Sequence, residues 1–456
     1  MSNDVSNLEG SEELGGQKVR LYPVTRIQGR ADIEIIFTPY HEVSEARFRA
    51  LEVRGLDRLA VGMPALRVPQ VLSRICGSCG PFHQLASCMA LENATGAVLP
   101  AAAGTVRELL CWLWLAHSHL LSIIYTVLPD LALPMSDMAV RNITGIYMVE
   151  QEAVSRLFRI QAAFAEALGT VAGTLVHPAM VVPGGVSSIP DVRTLSHTAE
   201  LLEGCEDDLR ETLRLLEMLI KRDAQMTFTG TTLEGHYMAA TVEGVPFPLG
   251  DEVTVKPFGE GEPVVLSHRQ LLDGMVEAPV QWSYLVPVSL KGADHLLTGP
   301  LSRMNMGYGP DTKWADLECN KCVEQWGRPL DREFLAYMAL MLEVIRAWEK
   351  SRLLLEEWSP AGGVACAAPE FSAASGVSVV DSPRGVILHS VSVDGSGIVE
   401  AYKVVSPLQF NCPMMNRHLS GIARKVVTGI EITDAVAQRL QFAVRAFNPC
   451  VPCGTH

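Results

Sequence analysis

The last ten residues, FNPCVPCGTH (447–456), carry two cysteines separated by two residues and end on a histidine, and a matching C-x-x-C pair stands in RICGSCGPFH (74–83). Chain ends ordinarily fray into solvent, so thiols placed there call for something that holds them. Thiolates at this spacing can grip one soft metal, because a tight turn brings both sulfurs to the same side; Gly77 relieves crowding in the first pair. Together Cys76, Cys79, Cys450 and Cys453 make a four-thiolate constellation. A fold that unites them must bring the C-terminal segment inside.

Four cysteines also suit a structural zinc. Such a staple usually closes a short loop in a small domain, whereas here about 370 residues separate the pairs. A chain of 456 residues with 48% hydrophobic content buries ample core without a staple. Both pairs lie in apolar, glycine-rich sequence, so the thiolates are expected deep in the protein beside compensating charge. A buried, redox-capable centre is the better reading. The 11 cysteines are an odd number and do not form the dispersed pattern of a disulfide framework. A third pair, Cys319 and Cys322 in ECNKC, reads as solvent-side thiols, with a partner-facing metal site as the alternative. Cys88, Cys111, Cys205, Cys366 and Cys412 are scattered and read as packing residues.

A net charge of -14 and a pI near 5.4 argue against an electrostatic grip on nucleic acid or anionic lipid. Residues 1–18 are polar and acidic and are expected to form a flexible tail ahead of a single domain, 19–456. Leu109 to Leu128 is long enough to cross a bilayer at about 1.5 Å per residue. His117, Ser118 and His119 at its centre and the lack of a second such stretch favour a helix buried in protein, hence no direct membrane span. Strands are expected at 31–37, 45–53 and, as a hairpin turned at DGSG, 385–405. Helical spacing runs through 66–128, 145–175, 198–225 and 331–358, and the glycine- and proline-rich 227–315 reads as strands and loops. The expected class is helix-dominated α+β, a core bundle of long helices with small peripheral β-sheets.

RICGSC with His83, together with NPCVPCGTH, resembles the two metal-binding signatures of the nickel-iron hydrogenase large subunit. The likeness continues in the expected order through PVTRIQGRADI (23–33), EVRGLDR (52–58), HSH (117–119), GPLSRMN (299–305) and SPRGVILH (382–389). The resemblance implies a nickel held by the four cysteines, with Cys76 and Cys450 as terminal ligands and Cys79 and Cys453 bridging to an iron that carries carbonyl and cyanide (CO and CN) ligands. It implies reversible heterolytic cleavage of H2, with Cys450 as the first base. Soft thiolates suit this, since they stabilise several nickel oxidation states and a terminal one can accept a proton. Arg384 matches a guanidinium set over the metals, a fixed positive charge; read alone it is an ion-paired or surface residue after a proline turn. Glu52 and His456 match ligands of a further divalent ion, usually magnesium, that ties the buried C-terminus to the N-terminal region, with a carbonyl of Leu408 or Gln409 adding to it. Read alone, Glu52 is a strand carboxylate paired with Arg54. His83 is implied to hydrogen-bond a bridging sulfur. His117 and His119, two apart on a helix, splay by about 200° and read as separate buried hydrogen-bonding residues.

Two positions depart from the family pattern. Gln28 stands where a glutamate relays the proton from the terminal cysteine, and an amide cannot take and return a proton. Glu150 and Asp130 are the other acids to consider for that route, beside a water chain. Asn448 stands where an aspartate commonly precedes PC, which removes a negative charge beside Arg384. The form HSH with LPD after it resembles the cytoplasmic, cofactor-coupled branch. No spare cysteine cluster remains for an electron relay, so an iron-sulfur small subunit is expected as partner, with further flavin or iron-sulfur electron-transfer subunits. The alternatives are an H2-sensing regulatory subunit with slow turnover, and a metal-stapled structural subunit of a respiratory complex.

Overall fold

A computed structural model describes residues 16–134, 136–226, 232–358 and 363–456. Residues 1–15 of the expected tail lie outside the described residues; Lys18 already belongs to a strand. Strands β1 (Lys18–Leu21), β2 (Ala31–Phe37) and β3 (Val43–Ala50) form an antiparallel sheet in that order. Alternation drives it: Ile33, Ile35, Phe37, Ala46 and Phe48 enter the core. On the other face Glu34 is buried beneath Arg20, Arg47 and Arg49, which satisfy its carboxylate. β3 ends at Ala50, short of the expected 53; Leu51 N still donates to Arg30 O in the same register, and Arg54 N donates to Thr455 O at 2.7 Å.

The expected helical run 66–128 is broken at Gly96 and Pro100 into α1 (Gly80–Thr95) and α2 (Ala101–Ser122). A π-helical turn, Ile123–Val127, carries α2 on to Leu128–Ala132. This 32-residue rod is apolar enough to cross a membrane, yet 78% of its most apolar window is buried inside the protein. It packs against α3 (Gln151–Ala172), and α4 (Val192–Glu203) and α5 (Glu206–Met226) complete that side. The break between α4 and α5 falls at Gly204. α6 (Leu335–Glu356) lies along α2 and is buried nearly all round from Leu335 to Trp348, as its largely apolar composition requires, with Glu343 and Arg346 the buried charged exceptions.

Between α5 and α6 the expected strands form a five-stranded sheet that includes His236–Val242, Glu252–Lys256, Val264–Ser267 and Leu296–Thr298. Short helices at His268–Gly274 and Pro300–Met306 interrupt this stretch. The C-terminal sheet has three strands, β4 (Ala374–Ser382), β5 (Gly385–Val393) and β6 (Val399–Val405), in that order. The hairpin at DGSG is present, its turn held by Asp394 Oδ1 accepting from Ser396 N and Ile398 N. This sheet is internal, not peripheral. β4 and most of β5 are buried, because small residues such as those of ASGVS let α1 lie directly on the strands. α7 (Pro407–Val426), α8 (Asp434–Arg445) and a last turn, α9 (Val451–Gly454), return the chain to the middle.

Candidate metal centre

The first cysteine pair sits where two short elements meet. Cys76 ends a 3-10 turn in extended conformation, and Cys79 caps the N-terminus of α1. Gly80 has no room for a Cβ, which would fall 2.5 Å from Ser73 O, so the turn can close only on glycine. The second pair is carried by α9. Gln28 and Cys450 form a parallel bridge in which Val451 N donates to Gln28 O at 2.9 Å. Gly29, at φ +88°, lets the N-terminal loop lie against this turn, since a Cβ there would meet Val451 Cβ and Pro452 Cδ at 2.7 Å. The C-terminus is thus wedged into the fold by main-chain contacts at Gln28 and Arg54.

All four thiols are at most 5% exposed, and their sulfurs lie within 4.8 Å of one another. Cys450 Sγ is 3.2 Å from Cys76 Sγ and 2.8 Å from Cys453 Sγ. Among the described residues this is the one convergent group of three or more His, Cys, Asp or Glu side chains. Hydrogen bonds from Cys450 and Cys453 hold the Cys76 thiol well below its ordinary value, while burial pushes Cys450 and Cys453 up. A dry group of thiols with ionising tendency needs positive charge, and four convergent soft donors fit a soft metal ion.

Arg384 supplies one fixed charge. It is 4% exposed, and its Nη1 donates to Cys79 Sγ at 3.3 Å and to Ser118 Oγ at 3.2 Å. Burial opposes its charge, but the thiols of Cys79, Cys450 and Cys76 outweigh that and raise its pKa. No carboxylate is ion-paired with it among the described residues. Asn448, at φ +44°, lies against Ser122 Oγ, one helical turn beyond Ser118. A small cavity with about 10 Å³ for the centre of a water-sized molecule lies between Arg384, Asn448, Cys79, Cys450 and Cys453, with Leu408 and Phe447 among its apolar walls. Three of the four thiols line it, so it is space that a group held by those thiols would fill.

Behind Arg384 stands a buried charge network that the sequence motifs only hinted at. Arg303 of GPLSRMN binds Glu343 and Asp381, and Glu343 Oε2 lies 2.7 Å from His119 Nε2. Asp381 is three residues from Arg384, so the network fixes the base of the turn that aims the guanidinium. Burial alone would raise Glu343, but Arg303 and His119 hold it down to about 2; burial pushes Asp381 up to about 6 despite Arg303. The Glu343 contribution to stability is therefore complete above its unfolded value of 4.5 and is lost as pH falls toward 2. Replacing Arg303 by methionine strands two carboxylates and is expected to cost about 3–5 kcal/mol, read as a lower midpoint in denaturant unfolding.

Other expected residues fall out differently. His83 does not reach a sulfur: its Nδ1 is 3.0 Å from His389 Nε2, whose Nδ1 meets the Tyr402 hydroxyl at 2.8 Å, and His83 Nε2 is buried without a hydrogen-bond partner. Burial lowers its pKa to about 3, so the imidazole is neutral. His119 is indeed a buried hydrogen-bonding residue apart from His117, whose Nδ1 has no partner. Asp130 is locked between Arg26 and Arg445, and Glu150 is exposed at the start of α3, so neither acid stands at the thiols. Cys319 is 1% exposed rather than solvent-side, because the amphipathic helix Lys313–Trp326 turns it inward; burial pushes Cys319 and Cys322 to about 11 and about 12. Cys366 is exposed, unlike the other four scattered cysteines.

Glu52 lies outside the sheet and is not paired with Arg54, which donates to Ile75 O instead. A Cβ on Gly29 would stand 3.0 Å from Glu52 Oε1, so this carboxylate borders the same loop that touches α9. It has no ion pair or hydrogen bond among the described residues, which suits a hard cation. His456 places Nδ1 and Nε2 each 2.9 Å from a carbonyl, those of Cys453 and Val404, and so makes no direct contact with Glu52. Ser78, Ser118 and His389 were not singled out from sequence; only the i, i+4 spacing of Ser118 and Ser122 and the position of Ser78 between two cysteines offered a signal.

The family model for nickel-dependent hydrogenases matches residues 54–127 and 299–456. A vhu subunit of the F420-non-reducing hydrogenase of Methanococcus voltae is 27% identical over 412 residues, 89% of this chain and 98% of that one. The beta subunit of the NAD-reducing hydrogenase HoxS of Cupriavidus necator is 26% identical over 474 residues, 96% and 95% of the two chains. In fold, the chain is similar to a crystal structure of an NAD+-reducing [NiFe]-hydrogenase in the H2-reduced state, with a TM-score of 0.90 at 24% identity over 97% of this chain and 100% of that one. A Ni-Fe-Se hydrogenase from D. vulgaris Hildenborough gives 0.77 at 19%, over 96% and 100%.

Proposed function

The chain belongs to the nickel-dependent hydrogenase family as a large subunit, and from that premise we propose that it is the catalytic subunit of a nickel-iron hydrogenase that splits H2 reversibly into protons and electrons. The observation that carries this is the convergence of Cys76, Cys79, Cys450 and Cys453 beneath Arg384. When bound there, a nickel and an iron with carbonyl and cyanide ligands would supply the redox-active centre at which H2 is polarised. Cys76 and Cys450 would be terminal ligands, and Cys79 and Cys453 the bridges. The protein does the rest: Cys450 Sγ takes the proton, Arg384 holds positive charge beside the thiols, and Leu408 and Phe447 border the site with apolar side chains.

A metal-stapled structural subunit is disfavoured by the cationic guanidinium aimed at the thiols, which a closed zinc site does not use. The H2-sensing reading keeps one observation in its favour, the amide of Gln28 at the site in place of an acid. Nickel and iron analysis of the purified complex, infrared spectroscopy and steady-state H2 oxidation test all three: cyanide and carbonyl bands exclude zinc, and rapid turnover excludes a dedicated sensor.

Electrons need a way out, and the thiol of Cys76 lies beside Gln28 and Ser78. Gly29, Arg30, Val53 and Arg54 are exposed there, and Gln28 and Ser78 are partly so. An iron-sulfur small subunit would dock on this face. Further flavin or iron-sulfur subunits and a cytoplasmic location go with this reading.

A divalent ion, magnesium by family resemblance, would sit at Glu52, with His456 turning a ring nitrogen away from its carbonyl partner to join it. Glu52→Gln is expected to empty it while nickel stays, read as a divalent-ion to nickel ratio falling from about one toward zero, since a hard cation loses its only carboxylate there.

A further inference from the structure

Position 28 lacks the proton-carrying acid, and the structure gives its amide a different neighbour. Gln28 meets Cys450 only through its main chain, while its side chain lies on Cys76, Oε1 standing 3.3 Å from Sγ. Ser78 Oγ completes a triangle, 2.8 Å from Gln28 Oε1 and 3.5 Å from Cys76 Sγ, with Cys79 Sγ at 3.8 Å.

An amide oxygen facing a sulfur is a hydrogen bond only while that sulfur carries a proton. A cysteine that holds a metal does so as thiolate, which accepts and cannot donate. Which end of an amide is nitrogen follows from its partners. Against a thiolate the Gln28 amide must present its NH2, so that Nε2 donates one hydrogen to Cys76 Sγ and the other to Ser78 Oγ. The Ser78 hydroxyl hydrogen is then free for Cys76 Sγ. A carboxylate at position 28 would offer no hydrogen and would set like charge against the sulfur.

We propose that Gln28 and Ser78 form a paired hydrogen-bond donor to the terminal sulfur of Cys76. They are positioning residues that draw electron density off this ligand and raise the reduction potential of the centre it holds. The proposal rests on the nickel-iron reading above. It also gives the amide a purpose: it tunes a ligand where an acid would move a proton.

The test is an infrared-monitored redox titration of the purified complex carrying Ser78→Ala, Gln28→Glu or Ser78→Thr, with nickel content measured alongside. Ser78→Ala and Gln28→Glu are expected to shift the midpoint potential in the negative direction, and the carbonyl band to lower wavenumber, at wild-type nickel content. Ser78→Thr keeps the hydroxyl and should leave both at their wild-type positions. Unchanged potential and band position in Ser78→Ala and Gln28→Glu would overturn the donor pair, and either variant decides alone if the other loads no nickel. A wild-type complex without cyanide or carbonyl bands sinks the nickel-iron reading itself, and the proposal with it.

Discussion

Replacing Cys450 by serine should reduce H2 oxidation to background and leave the complex without its full nickel complement. Cys450 Sγ sits among sulfurs, 3.2 Å from Cys76 and 2.8 Å from Cys453, so it occupies the middle of the donor set rather than its rim. A serine hydroxyl is harder, stays protonated near neutral pH and cannot act as the soft anionic donor or as the proton acceptor that the mechanism asks of this position. The fold should survive, because α9 is anchored by main-chain bonds that serine does not touch, Val451 N to Gln28 O and Arg54 N to Thr455 O. Cys319→Ala is the control: that thiol is equally buried but belongs to another helix, so the variant keeps its nickel. Metal analysis and H2-dependent dye reduction read both. Wild-type nickel and turnover in Cys450→Ser would remove Cys450 from the ligand set.

Much of this centre was legible because its chemistry is spelled in spacing. C-x-x-C fixes two sulfurs on one side of a turn wherever it occurs, so RICGSC and PCVPC announced themselves before any fold was known. The long helices were legible for a similar reason, since apolar periodicity over twenty residues leaves few alternatives. Residues that act through tertiary contact were not. Ser118 looks like any helix serine until Arg384 arrives from a turn 266 positions later. His83 was expected at a sulfur, but β5 brings His389 to its ring instead, a long-range contact that no local pattern encodes. The strand ends at Ala50 instead of Val53, and by Arg54 the backbone has turned to the distant C-terminal segment, donating to Thr455 O. Asp130 was an acid to consider for the proton route, yet two arginines from distant segments pair with it.

Arg384→Lys keeps the charge, so any loss it causes measures geometry. The guanidinium reaches Cys79 Sγ and Ser118 Oγ with a single nitrogen, and Arg384 lines the space between the thiols. Nε is buried without a partner, a cost tolerated only where the group has a use. A lysine ammonium is a flexible point charge and cannot hold the Ser118 bond and present a second fixed donor to the cavity at once. Loss of one preorganised donor at a reacting centre costs roughly 10²- to 10³-fold in turnover. That decrease is expected for Arg384→Lys at unchanged nickel content, since all four cysteines remain. Arg384→Met removes the charge as well and leaves the buried thiolates without their nearest cation, so it should lose turnover further and also load less metal. Stopped-flow or electrode assays of H2 oxidation, normalised to nickel, separate the two. Turnover per nickel within twofold of wild type in Arg384→Lys would mean that the arginine serves the thiolates as a counter-ion alone and takes no part in aligning H2 at the centre.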